Sequence, residues 1–309
     1  MDARVSIIVP LYNERESLEP LVKGIFQACL PLGLPCEIIA VDDGSTDGSL
    51  EVLKSLRSRD PRLRIISFRR NFGKSDALDA GFRAAQGELI FTMDADLQDD
   101  PKEIPRFVAK LNEGWDLVSG WKRRRHDPLS KTLPSKLFNA VTSRVSGVRL
   151  HDFNCGFKCY RREVTQALRV YGELHRFLPA IAHMIGFRVT EMEVEHHARP
   201  FGKSKYGARR FISGLLDLMT VVVTTRYIKK PLHFFGAPGL CFGFAGALIN
   251  LWLTWQKLVC GQGLSNRPLL FLGILLMIVG LQLVSLGLIG EMISRSQKEP
   301  EYQVRERLG

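Results

Sequence analysis

The chain has 309 residues, 45% of them hydrophobic and 24% charged, with a formal net charge of +11. A basic balance with no recognisable DNA- or RNA-binding motif excludes nucleic acid as the expected partner and points to anionic lipid headgroups or phosphate-bearing substrates. The six cysteines form no C-x-x-C pair, and an expected cytoplasmic location argues for free thiols; His151, Cys155 and Cys159 lack the fourth ligand that a zinc site needs.

Met1 to Arg4 lead straight into a strand-like run, so no cleavable leader is expected. The β-rich runs 5–10, 37–41, 63–68, 88–93 and 116–119 alternate with helix-like segments. That alternation predicts an α/β domain with a mostly parallel sheet. Pro10-Leu11-Tyr12-Asn13-Glu14 follows the first strand, Asp42-Asp43-Gly44-Ser45 the second and Asp94-Ala95-Asp96-Leu97-Gln98 the fourth. Asp100, Pro101 and Glu103 read as N-cap, first-turn proline and capping-box partner of the next helix. The two carboxylates therefore lie on a loop at the carboxyl edge, where open α/β sheets bind ligands. Taken singly, each acidic run reads as a turn. In one sheet they converge on one crevice, and no glycine-rich dinucleotide fingerprint or P-loop competes for a nucleotide.

The fifth strand runs into a basic segment, 121–131, that includes Arg124, Arg125 and Lys131. It reads either as a loop that receives a phosphate headgroup or as a solvated basic face attracted to anionic lipid. In 209–225, Phe211, Leu215, Leu218, Met219 and Val222 repeat at helical spacing, with Ser213, Asp217, Thr220 and Thr224 on another face. An interfacial helix is expected there, a core or partner-binding helix being the alternative. Residues 232–256 and 268–290 hold no Asp, Glu, Lys or Arg, and each exceeds the roughly 20 apolar residues that span a bilayer. Arg226, Lys229, Lys230, Arg295 and Lys298 flank the pair, against Lys257 and Arg267 in the connector, so both termini are expected in the cytoplasm. Gly236, Gly239, Gly243 and Gly246 permit close helix packing and leave a homo-oligomer open.

The three acidic sets resemble those of the family 2 glycosyltransferases. With Asp152-Phe153-Asn154-Cys155-Gly156-Phe157, Arg176-Phe177-Leu178-Pro179 and Gly202-Lys203-Ser204-Lys205-Tyr206, the chain from residue 5 to about 295 resembles the polyprenyl-phosphate glycosyltransferases, the group of dolichol-phosphate mannosyltransferase and its bacterial undecaprenyl-phosphate relatives. The resemblance implies a GT-A fold, a Rossmann-like and mostly parallel sheet, over 1–207. A juxtamembrane segment (208–230), a transmembrane hairpin (231–293) and a cytoplasmic tail (294–309) would follow. It also implies an inverting transfer of one sugar from a UDP- or GDP-linked donor to polyprenyl phosphate at the cytoplasmic face of the cell membrane.

On that resemblance Pro10, Tyr12, Glu14, Asp42, Asp43 and Asp94 would bind the nucleotide sugar, and Asp96 with Gln98 would hold Mg²⁺ or Mn²⁺. Arg124, Arg125, Lys131, Arg199, Ser204, Lys205 and Tyr206 would meet the acceptor phosphate, and Asp94, Asp96, Asp152 and Lys205 are the catalytic candidates. Asp152 would orient or deprotonate the acceptor; pairing with Arg149 is the structural alternative. A Q-x-x-R-W motif is absent, a departure from the processive polysaccharide synthases. Transfer to another lipid such as diacylglycerol, or an inactive membrane scaffold, are the competing readings, and the intact acidic sets argue against the scaffold.

Overall fold

Val-Ser-Ile-Ile-Val-Pro-Leu, rich in β-branched residues, forms strand β1 (Val5–Leu11), and Cys36–Asp42 forms β2, buried along its whole length. Continuous apolar runs of this kind are what central parallel strands need when both faces are covered by helices. The computed structural model describes residues 5–123, 139, 142–144, 146–170, 172, 174–197, 200, 231–261, 263 and 267–296. The chain divides into two compact units.

The first unit is built on a seven-stranded sheet completed by β3 (Leu63–Ser67), β4 (Leu89–Thr92), β5 (Leu117–Trp121), β6 (Lys158–Arg161) and β7 (Val189–Glu193), in the order β3-β2-β1-β4-β6-β5-β7. All neighbours are parallel except β6, which runs antiparallel to both β4 and β5. The five expected strands are present. β6 and β7 carry too few alternating apolar residues to stand out in the sequence, and they form because the sheet supplies their partners.

Helix α1 (Leu18–Cys29) buries Leu18, Leu21, Val22 and Ile25, a stripe at helical spacing, on the sheet face that holds Ile7, Val9 and Phe91. Helix α4 (Ile104–Asn112) adds Phe107, whose ring centroid lies 4.5 Å from that of Phe157. Helix α3 (Lys74–Ala84) covers the other face with Leu78 and Phe82, against Ile8, Ile39, Val41 and Tyr160. Ile7 and Val9 thus serve one core and Ile8 the other, the two-residue alternation of a strand. Truncating any of these large side chains to Ala costs about 2–5 kcal/mol. Helix α2 (Ser49–Arg59) and the short helices α5 (Arg162–Ala167) and α6 (Leu178–Met184) complete the unit.

The second unit is a hairpin of α7 (Pro231–Cys260) and α8 (Pro268–Ser296). Both are long and apolar enough to cross a membrane, and little of either span is buried. Leu258 is 78% exposed and Phe271 71%, which suits lipid and not water. Between the helices the backbones approach closely: a β-carbon on Gly239 would lie 2.7 Å from the Gly280 carbonyl oxygen. Gly246 likewise meets the Gly273 backbone of the other helix. All six cysteines are free, and Cys29 and Cys36 touch with their Sγ atoms 3.1 Å apart.

Candidate active site

The loops that leave β1, β2 and β4 stand side by side, because Leu11 is in register with Asp42 and Ile8 with Thr92. Tyr12, Asn13 and Glu14 are half-buried there, and Asn13 has a left-handed backbone with φ 54°. The β1 and β2 loops are stitched together: Thr46 N–H donates to Asn13 Oδ1 (2.7 Å), Asn13 N–H to Ser45 Oγ (2.9 Å) and Glu14 N–H to Ser49 Oγ (3.1 Å). Asp42, 1% exposed, accepts from Ser45 N–H (3.0 Å) and the Ser67 hydroxyl (2.9 Å). Asp43 accepts from Phe72 N–H (2.7 Å) and Gly73 N–H (2.8 Å), which fixes the loop after β3. Gly44 must be glycine on two counts: its φ is +72°, and a β-carbon would strike the Arg70 backbone.

The β4 loop carries the third acidic set. Asp94 Oδ1 is in a close ion pair with Lys74 Nζ at the start of α3. Burial alone would raise the Asp94 pKa, but Lys74 and then Lys122 and Lys158 bring it down to about 2. Asp96 accepts from Gln98 N–H (3.2 Å) across Leu97, a non-glycine residue with φ 59°. Asp99 is fully buried and pairs with Lys122 Nζ at 2.8 Å. Asp100 accepts from Lys102 N–H (2.9 Å), the expected cap, on a short 3₁₀ turn, Pro101–Glu103, that leads into α4. Glu103 pairs with Arg106.

Beneath Asp94 lies a small polar cavity lined by Lys74, Asn154, Gly156, Lys158, Tyr160 and His175, among others. Burial, with the charge of Lys74, lowers the pKa of Lys158, whose ammonium donates to the Cys155 carbonyl oxygen. His175 is pulled to about 2, first by burial and then by Lys74, Arg176 and Lys158. Its Nδ1 is 2.9 Å from Ser75 Oγ, which also accepts the His175 backbone N–H at 3.3 Å. The hydroxyl thus bonds both the backbone and the ring of His175.

Of the residues expected from sequence, Pro10, Tyr12, Glu14, Asp42, Asp43, Asp94, Asp96 and Gln98 all stand at this one edge of the sheet. Asp152, 1% exposed, accepts from Asn154 N–H (3.0 Å). Arg124, Arg125, Lys131, Arg199, Ser204, Lys205, Tyr206 and the 209–225 helix lie outside the described residues, as do Arg226, Lys229, Lys230 and Lys298. His151 does not join the cysteines: it stacks on Trp121 (centroids 4.2 Å apart) and pairs with Glu191. Cys155 is buried, its thiol pushed up to about 12, first by burial and then by Asp99.

Sequence reasoning did not single out Lys74, Lys158 or His175, and it used Lys122 only as part of the basic segment. Lys74, at the N-terminus of α3, carried a usable signal, since a cation there is unfavourable for the helix dipole unless a carboxylate receives it. Also unforeseen is a cluster at the end of the β4 loop, where Asp100, Glu195 and His197 bring one ligand atom each within 4.8 Å of one another.

Asp96 and Gln98 offer a carboxylate and an amide oxygen from one turn, both half-buried. Such a hard oxygen set fits Mg²⁺ or Mn²⁺, with substrate phosphates and water completing the shell. A crevice with backbone-anchored carboxylates and paired lysines can hold a phosphorylated ligand together with a divalent cation.

Residues 6–169 match the model of the family described as Glycosyl transferase family 2. The chain is 40% identical over 311 residues to a dodecaprenyl-phosphate galacturonate synthase of Rhizobium johnstonii, covering 98% of this chain and 92% of that protein. It is 37% identical to an undecaprenyl-phosphate 4-deoxy-4-formamido-L-arabinose transferase of Pseudomonas aeruginosa, covering 97% and 88%. Among solved structures, a mannosyltransferase of Pyrobaculum calidifontis in complex with GDP-Man and Mn²⁺ superposes with TM-score 0.52 at 20% identity, over 97% of this chain and 77% of that one. A glucosyl-3-phosphoglycerate synthase of Mycobacterium tuberculosis with Mn²⁺ and UDP-glucose gives 0.54 at 21%, over 71% and 80%. The first unit has the GT-A fold.

Proposed function

Because the chain belongs to glycosyl transferase family 2, we propose that it moves one sugar from a nucleotide-sugar donor to the phosphate of a polyprenyl phosphate at a membrane surface. One observation carries the acceptor: the likeness to relatives named for polyprenyl phosphates spans 97–98% of this chain, both apolar helices included.

An acceptor phosphate oxygen forms the new bond to the anomeric carbon as the bond from that carbon to the nucleoside diphosphate breaks, with inversion. The phosphate is largely ionised at neutral pH, its second pKa being about 6, so it needs no strong base. Asp152 then orients and does not have to take a proton. Asp94, kept charged by Lys74, faces the donor, while Asp42 and Asp43 hold the loops that receive base and ribose. Asp96 and Gln98 would hold Mg²⁺ or Mn²⁺, which when bound offsets charge on the departing diphosphate. Positioning and charge complementarity do most of the work. Arg124, Arg125, Lys131, Arg199, Ser204, Lys205 and Tyr206 are assigned to the acceptor phosphate by resemblance. Lys and Arg counts flanking the spans support a cytoplasmic catalytic domain and cytoplasmic termini in the cell membrane.

A donor screen with purified protein, undecaprenyl phosphate and Mg²⁺ or Mn²⁺ tests this, following nucleoside diphosphate release and lipid product mass. A lipid-linked monosaccharide from one donor is the expected result. Transfer to diacylglycerol but never to a polyprenyl phosphate overturns the acceptor assignment, and no transfer from any donor to any lipid overturns the enzyme reading.

A further inference from the structure

The turn that carries Asp96 and Gln98 is strained at its centre and tied at both ends. Leu97 holds φ 59°, a backbone that a bulky side chain adopts only when its surroundings impose it. Lys74 ties the Asp94 end. At the other end Asp99, 0% exposed in its side chain, pairs with Lys122, 13% exposed, which arrives from the end of β5. Asp99 Oδ2 has no hydrogen-bond partner among the described residues. An antiparallel bridge between Asp99 and His196 reinforces this end, its His197 N–H donating to the Gln98 carbonyl oxygen at 2.9 Å.

A buried ion pair is seldom more stabilising than well-packed apolar side chains of the same volume, while removing one partner strands a charge. Stability alone therefore gives little reason to bury Lys122 against Asp99. Without the lysine, the Asp99 carboxylate would turn toward water and drag the adjoining Gln98 and Asp96 with it. We propose that Lys122 is a positioning residue for the divalent-cation turn, its ion pair with Asp99 fixing Asp96 and Gln98 in ligating geometry. The inference rests on the reading of Asp96 and Gln98 as cation ligands.

The test uses the full chain in detergent, with Mn²⁺ binding followed by electron paramagnetic resonance, alone and with UDP or GDP, beside thermal unfolding. Lys122→Met is expected to weaken Mn²⁺ binding by about 10–100-fold, the usual loss for a group that orients metal ligands, while Lys122→Arg keeps most of the affinity. The double variant Asp99→Asn/Lys122→Met removes both buried charges; it should regain thermal stability but not Mn²⁺ affinity, and it carries the test if Lys122→Met does not fold. Unchanged Mn²⁺ affinity in Lys122→Met, or recovery of affinity along with stability in the double variant, overturns the inference. A wild-type chain that takes no Mn²⁺ overturns the cation reading itself.

Discussion

Gly156 lies directly against Asp94: a β-carbon at position 156 would stand 2.5 Å from the Asp94 Cγ. Asp94 cannot yield freely, because Lys74 holds its carboxylate. Gly156→Ala should therefore displace Asp94 and cut transfer by about tenfold or more, a change of at least about 1.4 kcal/mol in the barrier. Thermal unfolding should change little. Wild-type turnover in Gly156→Ala would show that Asp94 need not keep this position.

The buried His175 gives a pH signature. Its folded pKa, lowered to about 2 by burial and then by Lys74, Arg176 and Lys158, is below the roughly 6.5 of an unfolded histidine. The unfolded chain therefore takes up a proton that the folded chain refuses. Stability from the neutral ring is complete above about pH 6.5 and falls as pH drops toward the folded pKa, by no more than about 1.4 kcal/mol per pH unit. Between about pH 7 and 5 the wild type should lose about 3 °C or more of melting temperature beyond the loss in His175→Asn. Parallel losses in the two proteins would refute this.

The parallel core was legible because β1 and β2 are continuous apolar runs, and the β4 loop because Asp100-Pro101 announces a helix start. β6 stayed hidden because Lys-Cys-Tyr-Arg has no strand signature. Its antiparallel pairing with β4 and β5 arises from the tertiary gap between them. Lysine partners were hidden for a different reason. Lys74 is 20 residues from Asp94, and nothing local links them until α3 folds back across the sheet. The acidic sets themselves were legible as a crevice, but Asp43 also serves the loop after β3, a duty only coordinates reveal.

Two acidic sets near the β4 loop offer oxygen ligands, and substitution separates them. Asp96→Ala should lower metal-dependent transfer by about 100-fold or more, at the upper end of the cost of disturbing a metal site. Glu195→Gln, in the cluster with Asp100 and His197, should stay within a few-fold of wild type. Mn²⁺ titrations of turnover decide the matter. The reverse ranking would move the cation from Asp96 to the outer cluster.

The helix hairpin makes its own prediction. One close approach is at Gly239, where a β-carbon would meet the Gly280 carbonyl oxygen at 2.7 Å and Val284 Cγ2 at 3.0 Å. Both neighbours belong to α8, and the carbonyl is backbone, so relief requires the helices to separate. Gly243, one turn further along, has nothing within 4 Å of the same hypothetical atom. Helix propensity favours alanine at both sites by a similar amount, so any difference between them reports packing. Gly239→Ala should destabilise the hairpin by about 1–3 kcal/mol, whereas Gly243→Ala should be neutral or slightly stabilising. Thermal unfolding of the two variants in the same detergent reads the contrast. Equal behaviour would mean that lipid contacts, and not the Gly239–Gly280 approach, hold the two helices together.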